Sequence, residues 1–250
     1  MNRIKNFFKN ITNSKKKVFA LALSVCVVVL SIASSSIAYF TDTEKFTNTF
    51  TAGNVEITLS EAQVKNDGVG NLIQDTTKER ITADEVEKTQ AYGAVFPGQE
   101  IYKDPTITTA ADSETAYIGA VITITNDDAV STTANITNIL AANKLTSFIT
   151  GINPNATVKY TVDASNGVYK IYMIFDTALD ATESYTLFTG VVIDNSWDNV
   201  KMGDCNGLKI VVDAYATQKS GFANATNALL ASFPEGDWAN YSSALEIPTT

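Results

Sequence analysis

Alternating apolar and polar side chains recur along most of the chain and predict β-strands. In the run from Ala116 to Thr125, small and branched apolar residues share one face while Thr123 and Thr125 lie on the other. Comparable runs are Val55–Leu59, Thr157–Val162, Val168–Phe175, Tyr185–Ile193 and Leu208–Ala216. We expect each of these strands to bury one face in a core.

Polar turn clusters separate the predicted strands, at Asn126–Asp128, Ala164–Gly167 and Asp194–Ser196. Several short strands at this spacing are typical of a β-sandwich and not of alternating β-α units. Ala and Leu recur at helical spacing in Asn138–Ile149 and Phe222–Phe233, which predicts two short helices. The pattern therefore predicts an all-β sandwich with a few short helices.

The segment Lys65–Gln90 is polar and lacks a clear strand pattern. We interpret it as a long insertion loop with a helical turn near Ala83–Lys88. No Pro/Gly-rich linker divides the chain after residue 38, so the sequence predicts one domain over Tyr39–Thr250.

The first 38 residues have the composition of a secretion signal. They carry six basic residues and no acidic one, followed by a 15-residue apolar run, Val18–Ile32, and the small-x-small sequence Ser36-Ile37-Ala38. A membrane span needs roughly 20 apolar residues. We therefore expect an N-terminal signal helix, cleaved between Ala38 and Tyr39; the alternative is an uncleaved anchor extended by Ala33–Ala38.

Cleavage would leave a strongly acidic protein. All 27 acidic residues but only 12 of the 18 basic residues follow Ala38, which gives a net charge of −15. Such a charge disfavours nucleic acid and anionic lipid as partners, so we expect no nucleic-acid binding and only transient membrane contact through the signal. Cys205 would be the one remaining cysteine, either an idle thiol in a turn or an intermolecular crosslink.

The chain contains no histidine, and this absence limits its chemistry. Histidine-dependent zinc-protease motifs, Ser-His-Asp triads and Cys-His pairs are excluded, and no phosphate-binding glycine loop is present. Nothing marks a particular carboxylate pair for glycosidase chemistry. Oxygen ligands cluster in two turns, so a calcium site remains an alternative at Asp127 and Asp128, or at Asp194, Asn195 and Asp198. We predict no catalytic residue, no cofactor and no metal site.

Aromatic residues are concentrated just after the predicted cleavage site: Tyr39, Phe40, Phe46 and Phe50, interleaved with threonines and acidic residues. This composition is typical of a β-strand. Such a strand either folds back as an edge strand of its own domain or pairs with the exposed sheet edge of another subunit.

Four blocks in order resemble the TasA/camelysin family of secreted Gram-positive proteins. Ile37–Glu44 is similar to the family's "AxFxD" junction, and Asn48–Ile57 to its "FxAGxLxL" segment. Val95–Gln99 is similar to the "LxPGD" turn, and Ala214–Phe222 to the last strand, "AxQxxGF". The middle of the chain is not matched.

The resemblance implies a jelly-roll β-sandwich that is cut by a dedicated signal peptidase and polymerises in the extracellular matrix or on the cell surface into biofilm fibres. It also implies that Tyr39–Phe50 is a donor strand that completes the sheet of the next copy, with an accessory fibre protein as a further candidate partner. Because camelysin is described as a metalloprotease, the resemblance also leaves a secreted protease as one alternative. Zinc, however, prefers nitrogen and sulfur ligands, which are scarce in this chain. A monomeric adhesin that binds carbohydrate is another; it would require exposed aromatic side chains, whereas we expect Trp197 and Trp238 to pack in the core.

Overall fold

The computed structural model describes residues 54–82, 92, 95–126, 136–204 and 207–247, apart from the side chains of Asn138 and Asp204. All of these residues belong to one compact unit, Ala52–Thr250. The predicted signal, its cleavage site at Ala38 and Tyr39, the predicted donor segment with Phe40, Phe46 and Phe50, the helical turn near Ala83–Lys88, Asp127, Asp128 and Cys205 lie outside the described residues.

The described part is mostly β-sheet with short helices. Its strands are β1 Ile57–Glu61, β2 Val64–Asn66, β3 Leu72–Gln74, β4 Ile81–Thr82, β5 Glu100–Tyr102, β6 Thr106–Thr109, β7 Ala116–Asn126, β8 Ile149–Thr150, β9 Ala156–Asp163, β10 Val168–Phe175, β11 Ser184–Thr186, β12 Gly190–Val192, β13 Leu208–Gln218 and β14 Leu245–Glu246. Its α-helices are α1 Ile136–Ile139, α2 Leu145–Phe148, α3 Asn199–Asp204 and α4 Ala225–Ser232, and 3-10 segments cover Ala142–Lys144 and Gly236–Ser243. The prediction of an all-β protein with a few short helices is confirmed at this level.

The strands form three sheets. The central sheet has the order β13-β7-β10-β9-β14, the second sheet β11-β6-β1-β4 and the third sheet β2-β3-β5-β12-β8. Neighbouring strands are antiparallel, apart from the parallel pair β3 and β5. Strand β7 has a partner on each side: it pairs with β13 along all 11 residues and with β10 on its other edge.

The middle of the central sheet, at β7 and β10, is buried on both faces. On its inner face Ile118, Ile122 and Ile124 of β7 share a core with Ile107 of the second sheet and Val191 of the third. On its outer face the alternate residues Tyr117 and Val121 pack with Tyr172 and Ile174 of β10 beneath the C-terminal residues Leu229, Trp238 and Tyr241. We had expected one buried face for each strand, and this was wrong for β7 and β10.

The C-terminal residues 222–247, which we call the C-terminal cap, explain the second buried face. Helix α4 begins after Asn224, whose side chain accepts a hydrogen bond from the Asn227 N–H at 2.8 Å. The rings of Tyr172 and Trp238 lie 5.8 Å apart, and those of Tyr172 and Tyr241 lie 5.7 Å apart in an edge-on arrangement. Aromatic stacking of this kind seals the sheet against solvent.

Two sequence predictions need correction. Residues 64–82 are not a strandless loop, because β2 and β3 form a hairpin around Asp67, whose carboxylate accepts the N–H groups of Val69, Gly70 and Asn71. The run Tyr185–Ile193 is not one strand either. It divides into β11 in the second sheet and β12 in the third, because the chain crosses between sheets at the buried residues Leu187 and Phe188.

The remaining strand predictions agree well with the structure. Strand β10 has the predicted bounds. Strand β7 is one residue longer than predicted at its end, β9 is one residue longer at each end, and β13 extends two residues further at its end. In the part of the chain that the structure describes, no helix has both the length and the apolar character needed to span a bilayer.

The cap requires a glycine beneath it. A Cβ atom at Gly119 would lie 2.8 Å from Leu229 Cδ1 and 2.9 Å from Trp238 Cζ2, which is closer than real contacts allow. We therefore expect Gly119→Ala to lower the free energy of unfolding by about 1–3 kcal/mol, the usual cost of overpacking a core. Chemical denaturation followed by tryptophan fluorescence measures the loss.

Gly203→Ala is the matched control. Gly203 lies in α3 with nothing near the added methyl group, so alanine should leave stability unchanged or raise it slightly. Equal stability of the two alanine variants would show that the cap does not depend on the space above Gly119.

Candidate functional site

Strand β13 forms an edge of the central sheet. Its 11 residues pair with β7 on one side, from Leu208 opposite Asn126 to Gln218 opposite Ala116. On the other side no strand pairs with it among the described residues. A strand of this length with an unpaired edge is a template for pairing with another strand.

The register identifies which backbone groups of β13 face outward. Lys219 N–H donates to Thr115 O at 2.9 Å, one step beyond the Gln218–Ala116 pair. Lys219 and Thr115 are therefore a hydrogen-bonded pair. Because such pairs alternate along an antiparallel ladder, the odd-numbered residues of β13 direct their N–H and C=O groups to β7. The even-numbered residues, from Leu208 to Gln218, direct theirs to the open edge.

The side chains along this edge also leave the core incompletely covered. The inward-facing residues of β13 pack against the main core but are only half-buried: Leu208, Ile210, Val212, Ala214 and Ala216. Lys209 and Asp213 are the charged residues of the strand, and both project to the opposite face. The inner side of the edge thus offers apolar surface without a protecting charge.

The segment that precedes residue 54 joins the domain close to one end of this edge. Asn54 O accepts a hydrogen bond from Glu114 N–H at 2.9 Å, and the neighbouring residue Thr115 accepts from Lys219, just past the end of β13. A strand that precedes Asn54 could therefore reach the edge of its own domain or leave it for another molecule. The two alternatives drawn from the sequence both remain open.

A cleft of about 390 Å³ lies where the Pro97–Gly98 turn meets α2 and the turn after β12. Its lining includes Glu100, Lys144, Phe148, Asp194 and Trp197. The backbone N–H of Ser196 is the main reason that the pKa of Asp194 lies below its usual range. Phe148 and Trp197 stack in this cleft with ring centroids 6.3 Å apart, and among the described residues no acid and base of its lining are hydrogen-bonded to each other.

The calcium candidates in the described part act as local acceptors. Asp194 accepts from Ser196 N–H at 2.8 Å, and Asp198 accepts from Lys201 N–H at 2.9 Å at the start of α3. Across the described residues no three Cys, Asp or Glu side chains come together in a way that would hold a metal ion.

A buried ionic junction joins the second and third sheets. Asp104 accepts hydrogen bonds from Ala62 N–H at 2.8 Å and from Arg80 Nη1 at 2.7 Å. Beside it, Lys103 Nζ lies 2.7 Å from Glu61 Oε2. Each of these charges has an opposite partner, so we assign the junction to structure and not to catalysis.

A second polar cluster lies on the outer face of the central sheet, under the C-terminal cap. Asp237 Oδ1 lies 2.5 Å from Lys170 Nζ, and its Oδ2 accepts from the Tyr215 hydroxyl at 2.9 Å. The hydrogen bond from Lys170 lowers the pKa of Asp237. Burial, together with the hydrogen bond to Asp237, raises the pKa of Tyr215. Burial, followed by the negative charge of Asp237, raises the pKa of Asp213.

Sequence reasoning missed this cluster and the identity of the open edge. Lys170 and Asp237 are 67 residues apart and neither belongs to a recognisable motif. The position of β13 at an edge depends on strand order, which alternation within a strand does not report. Both tryptophans are buried, as predicted for packing residues.

No protein-family model, no curated protein and no solved structure matches this chain.

Proposed function

We propose that this protein is a secreted structural subunit that polymerises outside the cell into fibres, and that its domain is a jelly-roll sandwich of the TasA/camelysin type. The observation that carries the proposal is the open edge of β13. The N-terminal segment Tyr39–Phe50 of one copy, released by signal peptidase, would add as a strand to this edge of the next copy.

The edge suits a donated strand in both its hydrogen bonds and its side chains. Alternate residues of β13 offer a donor and an acceptor each, and a neutral hydrogen bond contributes about 1 kcal/mol net. The half-buried apolar residues beside them would be covered by aromatic side chains at alternate positions of the incoming strand. An edge of 11 residues is long enough for about ten donated residues.

The charge of the chain is compatible with a matrix protein. A net charge of −15 after removal of the signal keeps free subunits soluble and apart. The backbone hydrogen bonds formed when a strand adds to the β13 edge would then overcome the repulsion between subunits at that edge alone. An accessory fibre protein that presents a similar strand would be a natural first or last subunit.

The alternatives have less support. An adhesin that stacks sugars on aromatic rings needs several exposed aromatic side chains. Trp197 and Trp238 are buried, no tyrosine of the described part is exposed, and Phe96, at 44%, is the single exposed aromatic residue in that part. A histidine-dependent protease site is excluded by composition.

Blocking the outward backbone groups tests the acceptor edge. Ala214→Pro removes one N–H that points away from β7, in an edge position where proline is tolerated, so the domain should fold but assemble poorly. Ala214→Val keeps the N–H and is the matched control. Sedimentation and negative-stain microscopy should show fibres for the control and few for the proline variant.

The proposal is wrong about the edge if the proline variant assembles as well as the parent. Circular dichroism of both variants establishes that the subunit is folded before assembly is compared.

Changes in the N-terminal segment test the donor. Phe46→Asp would bury an unpaired carboxylate in the acceptor, and a cost of about 3 kcal/mol raises the concentration needed for assembly about a hundredfold. Deletion of residues 39–50 should leave a soluble, folded monomer. Fibres from the deletion variant would contradict the donor role, whereas failure to fold would show that the segment is a strand of its own domain.

The absence of histidine generates a prediction about activity. We expect the purified protein to show no chelator-sensitive hydrolysis of casein. Activity that co-purifies with the chain through several columns, and that is lost with metal removal, would favour the protease alternative.

A further inference from the structure

The pair Lys170 and Asp237 links two elements that are distant in the chain. Lys170 lies on β10 in the middle of the central sheet, and Asp237 lies at the start of the 3-10 segment in the C-terminal cap. Their polar atoms are 2.5 Å apart, and each side chain is about 30% exposed. An amine and a carboxyl group are thus held in contact at a partly covered site.

The surroundings of the pair are largely aromatic. Trp238, the residue after Asp237, is 1% exposed, and its ring lies 5.4 Å from that of Tyr215. Phe233 packs edge-on against Tyr215 at 5.1 Å. Such a shell limits the access of water to the pair, while the hydrogen bond from Lys170 holds the pKa of Asp237 below its usual range, so the neutral pair that reacts is the minor form.

Two further groups are placed to assist chemistry at the carboxyl of Asp237. The Tyr215 hydroxyl donates to one oxygen of Asp237 and would stabilise negative charge on that oxygen. Asp213 lies two residues before Tyr215 on the same face of β13. Burial and the charge of Asp237 raise the pKa of Asp213, so it keeps a proton to higher pH than an ordinary aspartate.

We propose that Lys170 Nζ and Asp237 Cγ condense within the folded protein to form an intramolecular amide crosslink. The ion pair and the neutral amine–acid pair contain the same number of protons, so transfer of one proton from Nζ to Asp237 generates the reactive form. The amine then attacks Cγ. The N–C bond forms, one C–O bond breaks, and the oxygen leaves as water with the acid proton and one amine proton.

Each neighbouring group has a defined role in this reaction. Tyr215 holds the oxygen that becomes the amide carbonyl, and Asp213 carries a proton between the nitrogen and the leaving oxygen. The reaction needs no oxidant, cofactor or second protein. Its product would fasten the C-terminal cap to the central sheet and would strengthen a subunit under tension, but it does not depend on polymerisation.

Intact-mass spectrometry of the purified protein tests the crosslink. We expect the wild-type mass to be lower than the sequence mass by one water molecule, and peptide mapping should recover the segments of Lys170 and Asp237 as one linked species. Lys170→Arg keeps the positive charge but cannot form this amide, so this variant should have its full sequence mass.

Two results would overturn the proposal. One is a folded wild-type protein that retains its full mass after prolonged incubation. The other is a loss of water that persists in Lys170→Arg, which would place the dehydration elsewhere in the chain, for example as a cyclic imide.

Kinetics of crosslinking test the assisting groups. General acid–base assistance usually contributes about 10²–10⁴-fold, so Asp213→Asn should slow the appearance of the linked mass at least a hundredfold. Tyr215→Phe should slow it as well. Circular dichroism establishes that both variants are folded, and a folded Asp213→Asn variant that crosslinks at the wild-type rate would remove Asp213 from the reaction.

Discussion

The structure depends on burial of the central sheet from both sides. Strand β7 lies between β13 and β10, with isoleucines facing the main core and Tyr117 and Val121 facing the C-terminal cap. A strand that is apolar on both faces is stable only when two layers cover it. The other sheets supply one layer, and the cap with its aromatic cluster supplies the second. Gly119 marks the closest approach of that second layer.

The same arrangement places β13 at the border of the sheet. It is bound to β7 along its whole length, so it is held rigidly, yet its even-numbered residues direct their backbone groups outward. Natural sheets usually protect such an edge with charges, proline or bulges. The inner side of β13 is apolar from Leu208 to Ala216 and carries no charged residue, so the edge lacks this protection and can accept a further strand. This feature supports the proposed structural role in a polymer.

The sequence predicted the long strands well and the short ones poorly, for physical reasons. Strands β7, β10 and β13 are long runs rich in apolar and β-branched residues, and such runs indicate a strand whether one face or both faces are buried. Strands β2 and β3 owe their pairing to the turn around Asp67, and the division between β11 and β12 follows from a crossing between sheets. Neither effect leaves a pattern of period two.

Long-range contacts were also beyond prediction from one sequence. The open edge and the Lys170–Asp237 pair both arise from strand order and from the path of the cap, which bring together residues far apart in the chain. The sequence did predict the packing of both tryptophans, because large aromatic residues are most often buried.

Residue-level hydrogen exchange in monomer and fibre tests the central claim most directly. The amides of Ile210, Val212 and Ala214 point to the open edge, whereas those of Val211 and Asp213 already bond to β7. We predict that the first group exchanges rapidly in the monomer and becomes strongly protected in the fibre, while the second group is protected in both. Equally rapid exchange of the first group in monomer and fibre would contradict the account, because it would leave the edge of β13 unpaired in the polymer.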